Sequence, residues 1–144
     1  MQLSKLVIVA VMATLAACGC LGGEGVPTSP PAYIDDVYAT DSGQDGISIY
    51  FILADEAGHQ TAAPGYVHIK VSDKTGPLFD GGKNVTVSEF QEATLGRGAF
   101  EHEALIHNVG RLPLRRAPSG LVDVEVTFRT SEGETLAGKT TTCY

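Results

Sequence analysis

Residues 121–129 read Leu-Val-Asp-Val-Glu-Val-Thr-Phe-Arg, and this stretch decides the fold class of the chain. Apolar side chains alternate here with polar ones. Since side chains of a strand point alternately to opposite faces, the segment predicts a strand with one buried and one solvated face. A register shift of one residue would bury acids and an arginine, so the alternation also fixes which face is inside. We predict that Val124 is among the most buried side chains and that Asp123 faces water.

Two further segments show period-two patterns. In residues 67–72 a fully apolar face alternates with a polar one, which predicts a strand with one wet face. Residues 47–54 have one apolar face and one mixed face, and Tyr50 and Ile52 on the mixed face predict an exposed apolar patch. Weaker strand patterns cover residues 34–40, 84–87, 98–108 and 135–143.

The segments between these strands are turns. Asp41-Ser42-Gly43 and Ser131-Glu132-Gly133 contain residues that fit tight turns, and no segment shows a sustained helical stripe. About seven short strands with turns at this spacing predict an all-β, antiparallel β-sandwich. The architecture resembles immunoglobulin-like and fibronectin type III-like domains. The chain lacks Trp and the inner cysteine pair of antibody domains, which favours the fibronectin-like or a generic sandwich.

The N-terminus reads as an export signal. Lys5 precedes an apolar run over residues 6–17 that ends in small residues, the pattern of a secretory signal peptide. Leu15-Ala16-Ala17-Cys18 resembles the lipobox of prokaryotic lipoproteins, which implies lipid on Cys18, cleavage before it, and a membrane anchor on the extracytoplasmic face. The alternative is an uncleaved anchor that continues to Gly23, and it also leaves the domain outside.

These features divide the chain into three parts: a signal peptide over residues 1–17, a lipidated cysteine with a Gly/Pro/Ser-rich linker over 18–32, and the sandwich over 33–144. We expect the linker to be flexible and the folded domain to begin near Tyr33. The net charge of −7 opposes binding to phosphate backbones, so we expect no nucleic-acid partner.

Two covalent modifications depend on context. Cys18 is assigned to lipid, which leaves Cys20 and Cys143 either to form a disulfide or to remain as thiols, because the count does not fix connectivity. Asn84-Val85-Thr86 satisfies the glycosylation sequon and follows a Gly-Gly turn, so Asn84 is a candidate for modification.

Two groups of residues invite a metal-binding interpretation. Residues 41–46 begin like a calcium loop, but the third and twelfth ligand positions are Gly43 and Ile52, so we interpret the segment as a turn. The densest set of candidate ligands would lie on both faces of one strand, and we interpret it as a solvated strand face rather than a zinc site. The set comprises Glu101, His102, Glu103 and His107. We expect neither a metal nor a cofactor.

The remaining chemistry-bearing residues do not assemble into a catalytic set. Arg111, Arg115 and Arg116 either meet an acidic partner or headgroups, or offset the acidic surface. Ser119 is not in a strand-to-helix elbow, and Cys143 has no local activating group, so we predict that the protein is not an enzyme.

The layout of anchor, linker and small β-domain predicts a non-catalytic surface module that binds a protein or an envelope polymer. Two other functions fit the same layout: a structural accessory subunit of a larger envelope complex, and a carrier of a metal or small ligand.

Overall fold

The computed structural model describes residues 26–144, and both the predicted signal peptide and Cys18 lie outside this range. Nine β-strands and two single-turn 3-10 helices make up the described part. The strands are β1 Tyr33–Gly43, β2 Gly46–Ala54, β3 Gln60–Thr61, β4 Gly65–Asp73, β5 Gly76–Val85, β6 Phe90–Leu95, β7 His102–Pro113, β8 Leu121–Thr130 and β9 Thr135–Cys143, and the 3-10 helices are Val87–Glu89 and Gly98–Phe100.

The strands form two antiparallel sheets. The first sheet has the order β1-β2-β7-β6, with β3 paired to β2, and the second has the order β5-β4-β8-β9. The hairpins β1-β2, β4-β5, β6-β7 and β8-β9 alternate between the sheets, an order that resembles that of immunoglobulin-like sandwiches. The predicted all-β sandwich is confirmed, with more strands than the expected seven.

The core fills the space between the inner faces of the two sheets. Val122, Val124, Val126 and Phe128 are completely buried, while Asp123 and Glu125 are exposed, so the predicted register of β8 is confirmed. Cross-strand pairing joins Val71 of β4 to Val124, and the rings of Phe51 and Phe128 meet across the core at 5.9 Å. Each large buried apolar side chain contributes roughly 1.5–3 kcal/mol.

One edge of the sandwich is closed by a close approach of β1 to β9. A Cβ on Gly138 would lie 2.8 Å from Cγ2 of Ile34 and 3.1 Å from Cγ2 of Val37, so a larger residue in place of this glycine would separate the strands. The inner side chains of β1 therefore pack directly against the backbone of β9.

The segment before β1 is attached to the sandwich. The Ala62 amide donates to the Pro27 carbonyl at 2.8 Å, the Thr61 hydroxyl donates to the Ser29 carbonyl at 2.6 Å, and the Ala32 amide donates to the Ala54 carbonyl at 2.7 Å. Ordered structure thus includes the last residues of the segment we expected to be a flexible linker. The chain enters the domain at the end where β2 and β8 finish.

Candidate interaction surfaces

A second apolar cluster lies on the outside of the first sheet, separate from the core. Ile52 of β2 and Ala104 of β7 are each 2% exposed and Leu95 of β6 is 8% exposed, although no other sheet covers them. Partly buried neighbours on the same surface shield them. We call this surface the apolar face, and its members are Tyr38, Tyr50, Ile52, Leu95, Ala104 and Ile106.

The sequence pattern predicted only part of this face. Tyr50 and Ile52 do share it, as expected, but Ile52 is shielded rather than exposed. Tyr38 joins them because a bulge in β1 between Ile34 and Asp36 reverses the alternation, which turns Val37 inward and Tyr38 outward.

Two tyrosines lie on the β1 side of the apolar face. Tyr38 and Tyr50 are direct cross-strand partners, and their rings stack with centroids 4.9 Å apart and planes inclined by 15°. Burial and the neighbouring Asp36 carboxylate raise the pKa of Tyr38 to about 12, so its hydroxyl stays protonated at neutral pH. The stacking covers one face of each ring.

Charge is sparse on the apolar face and lies at its borders. Asp36 pairs with Ile52 at the β1 edge. Arg111 lies at the far end, where its Nη2 donates to the carbonyls of Gly43 at 2.9 Å and Gln44 at 2.8 Å. This guanidinium is engaged by the β1–β2 turn, so the middle of the face presents no ionised group.

The outside of the second sheet is built from charged side chains, and we call it the charged face. One row crosses all four strands in the order Asp80, Lys70, Glu125 and Lys139. His68, next to this row, lies with Nε2 2.6 Å from Oδ1 of Asp80. Among residues 26–144, no oppositely charged group lies within 4.0 Å of the side chains of Lys70, Glu125 or Lys139. The predicted solvated faces of β4 and β8 are confirmed.

A shallow groove of about 630 Å³ lies at the end where the chain enters the sandwich. Asp55, Glu56, Glu132 and Glu134 line it. The Asp55 carboxylate accepts hydrogen bonds from the Ser29 hydroxyl at 2.8 Å and from the Ala57 and His59 amides. These hydrogen bonds lower the pKa of Asp55, and the one from Ser29 has the largest effect. Asp55 thus serves to hold the entering segment and the following loop.

The three candidate arginines have separate roles. Arg116 forms a bidentate pair with Asp73, whose side chain is fully buried, with both N···O distances at 2.7 Å. This guanidinium holds the pKa of Asp73 well below its usual range. Arg111 is engaged by the β1–β2 turn, and Arg115 is exposed. Two of the three therefore stabilise the fold, which leaves no cluster for headgroups or an acidic partner.

The candidate metal ligands do not converge. Among residues 26–144, no three side chains of His, Cys, Asp or Glu come together as a metal site would require. Asp41, at the start of the calcium-like segment, instead accepts the Gly43 amide at 2.7 Å within a tight turn. Glu101, His102 and Glu103 are exposed around the start of β7.

His107 corrects our interpretation of that group as a solvated strand face. Its side chain is completely buried on the inner face of β7, with its ring stacked on Phe51 at 5.1 Å and edge-on to Phe90 at 5.2 Å. Nε2 lies 3.3 Å from the Glu89 carboxylate, and Nδ1 has no hydrogen-bond partner. Burial lowers the pKa of His107, so the ring is neutral at pH 7.

The other residues that the sequence analysis singled out lie away from the middle of the apolar face and of the charged face. Asn84 is exposed near the end of β5, and Cys143 is exposed at the end of β9. Ser119 donates its backbone amide to Asp73 at 2.8 Å, a structural contact. Cys18 and Cys20 lie outside the described residues, as does the disulfide considered between Cys20 and Cys143.

The fold and these surfaces define a small antiparallel β-sandwich with one apolar and one charged outer face. No protein-family model matches the chain, and comparison with curated proteins and with solved structures found no match. Within residues 26–144 there is no helix with the length and apolar character needed to cross a membrane.

Proposed function

We propose that this chain is a lipid-anchored, non-catalytic module on the extracytoplasmic face of the cytoplasmic membrane, and that it binds a protein partner through its apolar face. The observation that carries the proposal is the cluster of aromatic and aliphatic side chains on an outer sheet surface. Ile52, Leu95 and Ala104 are buried, and water reaches the cluster at the partly buried Tyr38, Tyr50 and Ile106 around them. A contiguous apolar patch on an outer surface marks an interaction site.

The composition of the apolar face favours a protein as the partner. Its members are aromatic and aliphatic side chains, which suit a partner with apolar surface of its own. Tyrosine in this role combines apolar contact with hydrogen bonding, which is why it is enriched at protein–protein interfaces.

The lipid anchor supports the extracytoplasmic location. The lipobox resemblance assigns the acyl group to Cys18, and eight residue steps separate Cys18 from Val26, the first residue of the structure. That length of chain spans at most about 28 Å. A tether this short would keep the sandwich close to the membrane surface, with its chain-entry end toward the lipid.

Replacing single cysteines tests the anchor. Intact protein from membranes should carry an acyl mass on an N-terminal Cys18, and Cys18→Ser should abolish processing and membrane retention. Cys143→Ser, at an exposed position, is the matched control and should keep both. Membrane retention of Cys18→Ser equal to that of the control would overturn the lipid anchor.

Replacing single tyrosines tests the binding surface. Proteins other than a second copy of this chain that cross-link to the acylated chain on membranes should be lost with Tyr50→Ser and kept with Tyr66→Ser, since Tyr66 lies on the charged face. Equal loss with both variants would mean that the apolar face is not the binding surface. A complex that survives detergent at fixed stoichiometry would identify a permanent subunit rather than a transient binder.

A further inference from the structure

The charges of the second sheet alternate in sign along one row. Cross-strand pairing places Asp80 beside Lys70, Lys70 beside Glu125, and Glu125 beside Lys139. Directly paired residues point to the same side of a sheet, and the inward neighbours Ile69 and Val126 are buried, so the whole row faces outward. From the β5 edge to the β9 edge the signs are minus, plus, minus, plus.

A row with this order of signs is complementary to its own two-fold image. A two-fold axis parallel to the strands, between β4 and β8, places Asp80 of one copy opposite Lys139 of a second copy and Lys70 opposite Glu125 of that copy. The rotation repeats each contact, so every charge in the row meets an opposite charge.

We propose that two copies of this chain associate face to face through their charged faces, related by a two-fold axis that runs along the strands. This pairing goes beyond the proposed function, and it leaves the apolar face of each copy free on the outside of the pair.

The neighbouring rows agree with this arrangement. The same rotation brings Tyr66 opposite Arg129, which suits a cation–π contact, and Ser72 opposite Asp123, which suits a hydrogen bond. Aligned sheets pack at about −30°, so the rows at the middle of the strands make most of the contact. The row that contains Lys70 and Glu125 lies near the middle of both β4 and β8.

The charges in this row are available for a second copy. Within residues 26–144, Lys70, Glu125 and Lys139 have no ion-pair partner within 4.0 Å, although their neighbours in the row carry the opposite sign. Asp80 is paired with His68 and is the one member of the row with an internal contact.

The direction of the axis suits two chains that are anchored in one membrane. An axis along the strands keeps the chain-entry ends of both copies on the same side, so both tethers reach the same bilayer. Antiparallel pairing of two β6 edges would instead point these ends in opposite directions. Exposed ion pairs contribute little each, and anchoring compensates by raising the effective concentration of one copy near another. This step rests on the proposed lipid anchor.

Zero-length cross-linking of the full acylated chain in phosphatidylcholine vesicles tests the pairing. Protein with natural nitrogen is mixed with ¹⁵N-labelled protein, and the product read by mass spectrometry is the cross-link between Asp80 and Lys139 that joins one chain of each isotope. We expect this product in the original protein and a loss of about tenfold or more in Lys70→Glu, where like charges meet.

Two further variants decide whether the row itself is responsible. Exchanging the charges with Lys70→Glu and Glu125→Lys keeps the row self-complementary and should restore the cross-link. Lys74→Glu makes the same change of charge in the exposed β4–β5 turn and should leave the yield unchanged. A product confined to single chains, or equal yields for Lys70→Glu and Lys74→Glu, would overturn the proposal.

Co-sedimentation of the same samples with the vesicles separates this test from that of the anchor. If the chain does not sediment, the anchor is wrong, and the cross-link is then measured at high protein concentration in solution, where the row needs no tether. Absence of the mixed-isotope product there would reject the pairing independently.

Discussion

The two outer faces of this sandwich differ although the sheets share one core. Each face carries a cross-strand pair, Tyr38 with Tyr50 on the first sheet and Lys70 with Glu125 on the second. The tyrosine rings stack at 4.9 Å, whereas the lysine and the glutamate stay more than 4.0 Å apart. The two tyrosines contact each other within the chain. Lys70 and Glu125 do not form an ion pair with each other, so both charges remain available to another molecule.

This difference separates two kinds of recognition. An apolar face gains free energy when it excludes water, so it suits a partner with apolar surface and hydrogen-bonding groups at its border. A charged face gains little affinity from each pair but discriminates strongly by sign and position. We therefore assign affinity for a different protein to the first face and the orientation of two identical chains to the second.

The largest effect we predict is a loss of stability, and it tests which side chains of β8 belong to the core and which to the charged face. Val124→Asp places a carboxylate in a fully buried position and should lower the free energy of unfolding by about 3 kcal/mol or more. The whole free energy of unfolding of a domain is roughly 5–15 kcal/mol. Asp123→Ala, the matched change on the charged face, should cost about 0.5 kcal/mol or less. Urea unfolding of both variants measures the difference, and comparable midpoints would contradict the assigned register.

An intermediate effect tests the contrast between the two outer faces directly. Ile52→Thr should lower the free energy of unfolding by about 1.5 kcal/mol, because it removes a methyl group and buries a hydroxyl on a surface where Ile52 is 2% exposed. Lys70→Thr should change it by no more than about 0.5 kcal/mol, since Lys70 is exposed on a similar strand of the other sheet. Similar losses in the two variants would mean that the apolar face behaves as an ordinary solvated surface.

The sequence determines most of the fold because the core strands alternate cleanly. In β4 and β8 the inward positions over residues 67–71 and 122–128 are all apolar and the outward positions between them are polar, so strand, register and face follow from period two there. The sandwich class and the charged face were predictable for that reason, and Val124 is buried as expected.

The remaining features of the candidate site could not be predicted, because they do not follow from period-two alternation. The bulge in β1 that exposes Tyr38 arises from tertiary pairing, and β6 was missed because its six residues lack clear alternation. His107 was misplaced because Ala104, Leu105 and Ile106 are consecutive apolar residues, so the phase of β7 was ambiguous. The first sheet has apolar groups on both faces, which defeats an argument from alternation.

The smallest effect we predict is a loss of stability at acidic pH, which should affect the first sheet before the second. Burial lowers the pKa of His107 below its ordinary value of 6.5, against the opposing influence of the Glu89 carboxylate, while Lys83 nearby acts in the same direction as burial. As pH falls below 6.5, the unfolded chain therefore takes up a proton at this position before the folded chain does. The free energy of unfolding should decline from there until the pH reaches the folded pKa.

Two variants isolate this contribution. His107→Phe keeps a flat ring between Phe51 and Phe90 and should abolish the decline that begins just below pH 6.5, since no proton is taken up at this position. Glu89→Gln removes the charge that raises the pKa of His107 and should enlarge the decline. Hydrogen exchange in the original protein at about pH 5.5 should show lost protection in β6 and β7 before β4 and β8, because His107 stacks within the first sheet and its protonation disturbs that sheet first. Equal loss of protection in both sheets, or an unchanged decline in His107→Phe, would show that acid acts on the whole sandwich rather than through His107.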